Sequence, residues 1–227
     1  MMTMIAGNLQ AVRGRIDAAC RAAGRDPAGV RLLAVSKTFG VDAIRAALQA
    51  GQTCFGENYI QEAVDKIQAL PGYGIEWHCI GPIQRNKTRL EAEHFDWVQS
   101  LDRTRIAERQ HAQRPAHLPP LQVCIQVNTD GGPTKAGVAP ADVVALAEAI
   151  RSLPRLRLRG LMTIPEPAVD FSAARTLHVR ARELFDALNA GGLGLDTLSM
   201  GMGADLDAAI DAGSTMVRVG SAIFGQH

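Results

Sequence analysis

The chain of 227 residues is long enough for one large domain or two small ones. Its composition, 47% hydrophobic and 21% charged, is typical of a globular protein whose core needs neither disulfides nor a metal. The formal net charge of +1 gives no indication of a nucleic-acid partner, and the lack of any run of 18 apolar residues predicts no membrane partner.

The N-terminal segment predicts an amphipathic helix. Apolar residues recur at three- and four-residue spacing, at Ile5, Leu9, Val12, Ile16 and Cys20. The arginines of this segment would also fit a transit peptide, but the regular spacing favours a helix. Such a helix could pack on its own domain or on a neighbouring molecule, and we expect a monomer.

The four cysteines are widely spaced, with no CxxC pair and no Cys/His cluster at zinc spacing. They are Cys20, Cys54, Cys79 and Cys124. We therefore expect buried, reduced thiols, a cytoplasmic location and no metal centre.

Short apolar runs alternate with amphipathic segments from residue 31 onward. The eight runs are RLLAVS, TCFGE, EWHCIG, FDWVQSL, LQVCIQVN, RLRGLMTIP, LDTLSMG and TMVRVG. Helical spacing is clearest over residues 41–50, 58–70 and 141–153 and in a stripe that begins at Phe171. This alternation predicts βα units and a parallel sheet.

Eight such units favour one closed (β/α)₈ barrel, a TIM barrel with an extra N-terminal helix, over residues 1–227. A doubly wound open sheet would need fewer strands and would place its ligand at one switch point. Polar residues instead follow nearly every run: Ser36, Lys37, Glu57, Asn58, His78, Asn128, Thr163, Ser199 and Ser221. In a barrel, those strand ends meet at one mouth, where active sites lie.

Lys37 follows the first run, in a chain that contains only four lysines: Lys37, Lys66, Lys87 and Lys135. A partly desolvated amine at a barrel mouth can attack an aldehyde and form a Schiff base. The alternative is a lysine that extends its ammonium group into solvent from a surface loop.

The last two runs each end in a small, glycine-bearing turn before a helical segment. The turns are Ser199-Met200-Gly201 and Gly220-Ser221. Backbone N–H groups at such positions bind anions, and loops after strands seven and eight commonly hold phosphate in barrels. Together with Lys37 they predict a phosphorylated aldehyde as ligand.

Arg218 lies in the eighth run and would be a buried cation if it faces the barrel interior. Its partner would be either a pyridine nitrogen or a core carboxylate such as Glu57. Among weaker candidates, His78 is expected to be a core histidine, and Asn86 with Lys87 either begins a helix or contacts an anion. The acidic residues Asp205, Asp207 and Asp211 predict a solvated helix face.

Several motifs together resemble the pyridoxal phosphate homeostasis protein family, single-domain relatives of the N-terminal barrel of bacterial alanine racemase. They are AVSKT, FGENYIQEA, WHCIGPIQRNK, GLMTIP, LSMGM and AGSTMVRVGSAIFG, and they span essentially the whole chain. The resemblance implies that Lys37 forms a Schiff base with pyridoxal 5′-phosphate (PLP) and that Arg218 faces the pyridine nitrogen. It also implies that Asn58 lines the pocket and that the phosphate is held by Ser199, Gly201, Gly220 and Ser221.

The sequence departs from the usual family pattern at three places. Gly203 stands where Ser or Asp is frequent, Ser221 where Thr is common, and Phe39-Gly40 where a Lys-Pro pair is frequent. None of these departures changes Lys37, so the implied attachment of the cofactor is unaffected.

The resemblance implies a non-catalytic PLP-binding protein that acts in vitamin B6 and amino-acid homeostasis, with apo PLP-dependent enzymes as possible partners. We expect no second domain that would supply a tyrosine, and the two tyrosines of this sequence are Tyr59 and Tyr73. Racemisation needs an acid/base group on each face of the substrate, so we expect no efficient catalysis. The alternatives are a low-activity amino-acid racemase and a phosphosugar enzyme that uses Lys37 as an aldolase does.

Overall fold

The computed structural model describes residues 1–132 and 136–226; Lys135 lies outside them. The chain begins with α1 (Met2–Ala22), a long helix that packs on the outside of a barrel. All five apolar residues of the predicted stripe are buried in α1, which confirms the helix and its packing face.

Eight parallel strands form a closed barrel in the order β1 to β8, and the last strand pairs with the first. This arrangement confirms the predicted barrel and excludes the open sheet. The strands are β1 (Arg31–Val35), β2 (Cys54–Glu57), β3 (Glu76–Cys79), β4 (Trp97–Leu101), β5 (Leu121–Gln126), β6 (Leu156–Met162), β7 (Thr197–Ser199) and β8 (Met216–Val219).

A helix follows each strand. They are α2 (Val41–Gln49), α3 (Ile60–Ala69), α4 (Thr88–His94), α5 (Thr104–Gln113), α6 (Val143–Arg151), α7 (Phe171–Ala190), α8 (Leu206–Ala212) and α9 (Ser221–Phe224). The predicted helix over 58–70 begins two residues late, because Tyr59 keeps extended backbone angles. That extension leaves Asn58 on the loop after β2, at the mouth of the barrel.

The apolar core has two parts. Most buried side chains lie between the helices and the outer face of the sheet. The barrel interior holds smaller clusters, one of them formed by Trp97, Cys124 and Met162. Polar side chains fill much of the remaining interior, which makes it a hydrogen-bonded core as well as an apolar one.

The four cysteines are all buried and free, as expected. Among the described residues, no helix is both long and apolar enough to cross a bilayer.

Candidate cofactor-binding site

A cavity of about 500 Å³ opens at the carboxyl ends of β1 and β8. It brings together five of the seven predicted site residues: Lys37, Asn58, Arg218, Gly220 and Ser221. Further wall residues, which the sequence did not single out as ligand contacts, are Val35, Phe39, Ile80, Ile164, Met202, Gly203 and Val219. The cavity therefore joins a lysine, an arginine and a glycine-serine turn within largely apolar walls.

Lys37 lies in a tight turn directly after β1. The Phe39 N–H donates to the Ser36 carbonyl at 3.1 Å, and Thr38 has a φ of 67°. A β-branched residue with positive φ is strained by about 1–2 kcal/mol. The Thr38 N–H donates to Glu62 Oε1 at 2.6 Å. This contact helps to hold the turn and so fixes the position of the Lys37 backbone.

A network of ion pairs around the buried Lys66 holds the turn that carries Lys37. Lys66 Nζ donates to the Ser36 carbonyl at 2.9 Å, to Glu57 Oε1 at 2.7 Å and to Glu62 Oε1 at 2.6 Å. Burial raises the pKa of Glu57 above its usual value, although the bonds from Lys66 and Ser36 oppose this shift. Glu57 therefore pairs with Lys66, and the alternative in which it neutralises Arg218 is wrong.

Arg218 extends from β8 into the barrel interior, with 2% of its surface exposed. Its Nη1 donates to Ser199 Oγ and its Nη2 to the Thr163 carbonyl, each at 2.8 Å. Burial lowers the pKa of Arg218 to about 10, so the side chain stays cationic at neutral pH. The two bonds fix the guanidinium group in the cavity wall.

Ser199 is fully buried, and its hydroxyl is engaged inside the barrel. It accepts from Arg218 and donates to Gln99 Oε1 at 2.6 Å. Ser199 and Gly201 do not line the cavity at the ends of β1 and β8, called the main cavity below. The position of Ser199 at the end of β7 directs its side chain to the interior, where it orients Arg218.

Another part of the cavity wall is formed where β8 turns into α9. A Cβ at Gly220 would lie 3.3 Å from the Val35 carbonyl oxygen, so glycine keeps this turn close to β1. The ring of Phe39 stacks on that of Phe224 at 5.2 Å, and Asn8 Nδ2 donates to the Ile223 carbonyl at 2.9 Å. These contacts anchor α9 to the turn after β1 and to α1.

Asn58 provides an independent indication of a ligand. Its Oδ1 is buried and has no hydrogen-bond partner among the described residues, although it belongs to a residue of the cavity wall. A buried polar atom normally has a partner, so a polar group in the cavity would satisfy it. The wall thus fits a ligand that donates a hydrogen bond to Asn58 Oδ1.

A second cavity of about 520 Å³ adjoins the first and shares Met202 and Arg218 with it. Gly201 lies in its wall, with a φ of 98°. Asp205 also lines it and accepts from His178 Nε2 and from the Met202 N–H, both at 2.7 Å. Burial raises the pKa of Asp205, but the hydrogen bonds from His178 and Met202 and the charge of His178 together outweigh burial, and the net shift is downward. Asp205, which precedes α8, is therefore a half-buried structural carboxylate, so the expected solvated face is wrong at this residue. Asp207 on α8 is solvent-exposed as expected.

The remaining candidates lie away from the cavity. His78 is fully buried inside the barrel, where Nε2 contacts Glu76 Oε1 at 2.7 Å and Nδ1 contacts Gln99 at 2.9 Å. It is a core histidine, as expected, but it does not lie at the strand ends. Asn86 and Lys87 belong to a short turn, Arg85–Lys87, that leads into α4.

Comparison with known proteins agrees with this geometry. The family model of the alanine racemase N-terminal domain matches residues 7–227. The pyridoxal phosphate homeostasis protein of Pseudomonas aeruginosa is 57% identical over 99% of this chain and 96% of its own length. The protein of the same name from Escherichia coli K12 is 53% identical over 99% of this chain and 97% of its own.

Solved structures show the same fold. PipY of Synechococcus elongatus with PLP bound has a TM-score of 0.83 and 36% identity, and the match covers 97% of this chain and all of PipY. Alanine racemase of Clostridium difficile has a TM-score of 0.76 at 14% identity, and the match covers 57% of that enzyme. The chain is therefore a barrel of the alanine racemase N-terminal domain class. Within that class it belongs to the pyridoxal phosphate homeostasis protein family.

Proposed function

We propose that this protein binds pyridoxal 5′-phosphate in the main cavity, through a Schiff base on Lys37, and serves PLP homeostasis and amino-acid balance. The observation that carries the proposal is the convergence of Lys37, Arg218 and the Gly220-Ser221 turn on one cavity. PLP presents an aldehyde, a ring nitrogen and a phosphate, and these three groups match those three features. We take residues 1–227 as one binding domain.

Each wall group has a defined part in this proposal. Arg218 donates to the pyridine nitrogen, Asn58 contacts a polar group of the ring, and the phosphate lies against the Gly220-Ser221 turn. Gly203 has no side chain, so it can contact the ligand only through its backbone. Ser199 acts through Arg218, and Gly201 contributes from the adjoining cavity.

We further propose that the protein does not catalyse a reaction on the cofactor. PLP supplies an electron sink when its ring nitrogen is protonated, and a cationic Arg218 beside that nitrogen keeps it unprotonated. Among the described residues of the main cavity wall, Lys37 is the side chain suited to move a proton. Tyr59 is 55% exposed and does not line that wall. One face of a bound amino acid would therefore lack an acid/base group.

Absorption spectroscopy tests the attachment of the cofactor. The purified protein is expected to be yellow, and Lys37→Ala is expected to lose the visible band. Borohydride reduction should fix the cofactor to the peptide that contains Lys37. The matched control is Lys87→Ala, which changes a lysine outside the cavity and should keep the band. A folded but colourless protein, or an unchanged band in Lys37→Ala, would contradict the proposal.

The physiological part of the proposal is delivery of PLP to apo enzymes in the cytoplasm by a monomeric carrier. Four free, buried thiols support a reducing compartment. Mixing the PLP-loaded protein with an apo PLP enzyme should restore activity faster than PLP dissociates from the carrier alone. Equal rates would show that PLP passes only through free solution, and sedimentation would test the monomer.

The second cavity favours one alternative, a slow amino-acid racemase, because it gives an amino acid room beside Arg218. Incubation of the loaded protein with L-alanine in heavy water distinguishes the two functions. We expect no sustained exchange of the α-proton. Turnover at ordinary enzyme rates, about 1 s⁻¹ or more, would favour the racemase.

A further inference from the structure

Three potential metal ligands lie close together near the N-terminal end of the barrel, at the end opposite the main cavity. Cys54 begins β2 and is the register partner of Glu76, which begins β3. His78 lies two residues further along β3, so its side chain points to the same face as that of Glu76. No sequence motif marks this group, because the residues come from two strands and their proximity depends on strand register.

The three ligand atoms are close enough to one another for a single ion to contact all of them. The Cys54 Sγ lies 3.7 Å from Glu76 Oε1, and His78 Nε2 lies 2.7 Å from the same oxygen. All three atoms are within 4.8 Å of one another. Metal–ligand bonds of about 2.0–2.3 Å in a tetrahedral zinc site need ligand atoms about 3–4 Å apart. Small side-chain rotations would therefore bring all three within bonding distance of one ion.

A cationic group already lies at this point. Arg31 Nη2 lies 2.7 Å from Cys54 Sγ and 2.8 Å from Glu76 Oε1. Its side chain is 43% exposed, so it can move into solvent without a large cost in burial. The cluster is thus a place where the fold stabilises positive charge, and the present cation is movable.

Solvent can reach the cluster from outside. A surface cavity of about 350 Å³ is lined by both Arg31 and Cys54, and the Glu76 side chain is 33% exposed. This opening gives an ion a path and leaves room for a water molecule as fourth ligand. On the inner side, the Gln99 amide Nε2 lies 2.9 Å from His78 Nδ1. Zinc binding through Nε2 requires the other imidazole tautomer, in which Nδ1 carries the proton and the Gln99 amide is turned so that its oxygen accepts from Nδ1.

We propose that Cys54, Glu76 and His78 form a zinc site, with water as the fourth ligand and with Arg31 displaced into solvent. A thiolate, an imidazole and a carboxylate are the side chains that zinc prefers. Binding converts the Cys54 thiol to a thiolate and releases its proton to solvent. The competing Arg31 predicts moderate affinity.

Calorimetric titration with Zn²⁺ tests the site in the full chain loaded with its cofactor, after a chelator has removed adventitious metal. We expect one ion per chain, and X-ray absorption at the zinc edge should show one sulfur neighbour. Cys54→Ser and Glu76→Gln should each weaken binding by about tenfold or more. Arg31→Gln should tighten it by about tenfold, because a competing cation is removed.

The control is Cys20→Ser, which changes a buried thiol of α1 and should leave zinc affinity unchanged. Thermal unfolding and the visible absorption of each variant check that the barrel and the cofactor site remain intact. The proposal is overturned by no binding tighter than about 1 mM, by equal affinity in Cys54→Ser, or by weaker binding in Arg31→Gln. A folded protein that binds zinc but no PLP would overturn only the proposed function.

Discussion

Lys66 shows how one buried cation can organise a site it does not line. Only 6% of its side chain is exposed, and it bonds to two carboxylates and a carbonyl beneath the turn that carries Lys37. Glu57 is fully buried and has Lys66 as its charged partner. The strained backbone at Thr38 can persist because this network holds both sides of the turn.

Replacement of Lys66 should therefore be costly. We expect Lys66→Met to lower the free energy of unfolding by about 3–5 kcal/mol, since it leaves a buried carboxylate without its cation. Urea unfolding measures the loss. The double variant Lys66→Met/Glu57→Gln should recover part of it, because the unpaired charge is gone. Additive losses in the double variant would show that the two residues do not interact.

Glu91 predicts a pH dependence of stability. Its side chain is fully buried, and Gln110 donates to its Oε2 at 2.8 Å, while its Oε1 has no hydrogen-bond partner within the part of the chain that the structure describes. Burial raises its pKa from 4.5 to about 7, although the bond from Gln110 opposes the shift. Between these pH values the folded state binds more protons than the unfolded state. Stability should therefore fall as pH rises from 4.5 to 7, by on the order of 3 kcal/mol.

Glu91→Gln should remove this contribution. We expect the variant to be more stable than the parent at pH 8, by on the order of 1–3 kcal/mol, and similar to it near pH 5. Urea unfolding across this pH range measures the difference. Glu148→Gln, an exposed change on α6, is the matched control and should follow the parent curve. Parallel curves for Glu91→Gln and the parent would contradict the assignment.

At this scale, the sequence was informative where a residue type is unusual for its position. Lys37 and Arg218 are charged groups next to apolar runs, and both lie in the cavity wall as the motifs suggested. Gln99 and Thr163, which hold Arg218 in place directly or through Ser199, were not recognised as partners. Gln99 lies inside an apolar run, two positions after Trp97. This spacing places both side chains on the same face of β4, and it is the one sequence signal that could have marked Gln99 as interior-facing.

Among the elements, β6 and β7 approach each other unusually closely. A Cβ at Gly160 would lie 1.6 Å from the Thr197 carbonyl oxygen, a distance no side chain can adopt. The glycine therefore allows this part of the barrel to close, and it does so next to the strand that carries Ser199.

Gly160→Ala should separate the two strands. We expect a loss of about 3 kcal/mol or more in the free energy of unfolding, or failure to fold. Gly14→Ala is the matched control, because Gly14 lies exposed in α1 with no atom near its Cβ position. That variant should be more stable by about 0.5–1 kcal/mol, since alanine favours a helix. Equal effects of the two changes would contradict the close approach.

The elements themselves were predictable because period-two runs and helical stripes alternate regularly along the chain. Strand register was not, because it depends on packing between segments distant in sequence. The pairing of Cys54 with Glu76 and the inward position of Ser199 both follow from register. This is why the zinc ligands and the indirect role of Ser199 became visible only in the folded barrel.

For the whole molecule, α1 acts as an outer brace. It packs against α2, α8 and α9, and Asn8 bonds to the carbonyl of Ile223. The N-terminal segment thus supports the short helix at the phosphate end of the proposed site.

Leu9→Ala should test this brace. Leu9 is fully buried, so we expect a loss of about 2–5 kcal/mol in the free energy of unfolding. Met4→Ala changes an exposed apolar residue of the same helix and should have an effect within about 0.5 kcal/mol. Thermal and urea unfolding measure both. A loss for Met4→Ala as large as that for Leu9→Ala would show that α1 packs differently.

The pairing of β8 with β1 has a consequence for how the protein acquires its ligand during synthesis. Lys37 leaves the ribosome well before Arg218 and Ser221, which come much later in the chain. Contacts between such distant segments form late in folding. A nascent or truncated chain therefore presents the lysine without the groups that would hold an aldehyde next to it. If PLP binds as proposed, its capture waits until the barrel is closed, and the visible absorption expected for the Schiff base would report completed folding.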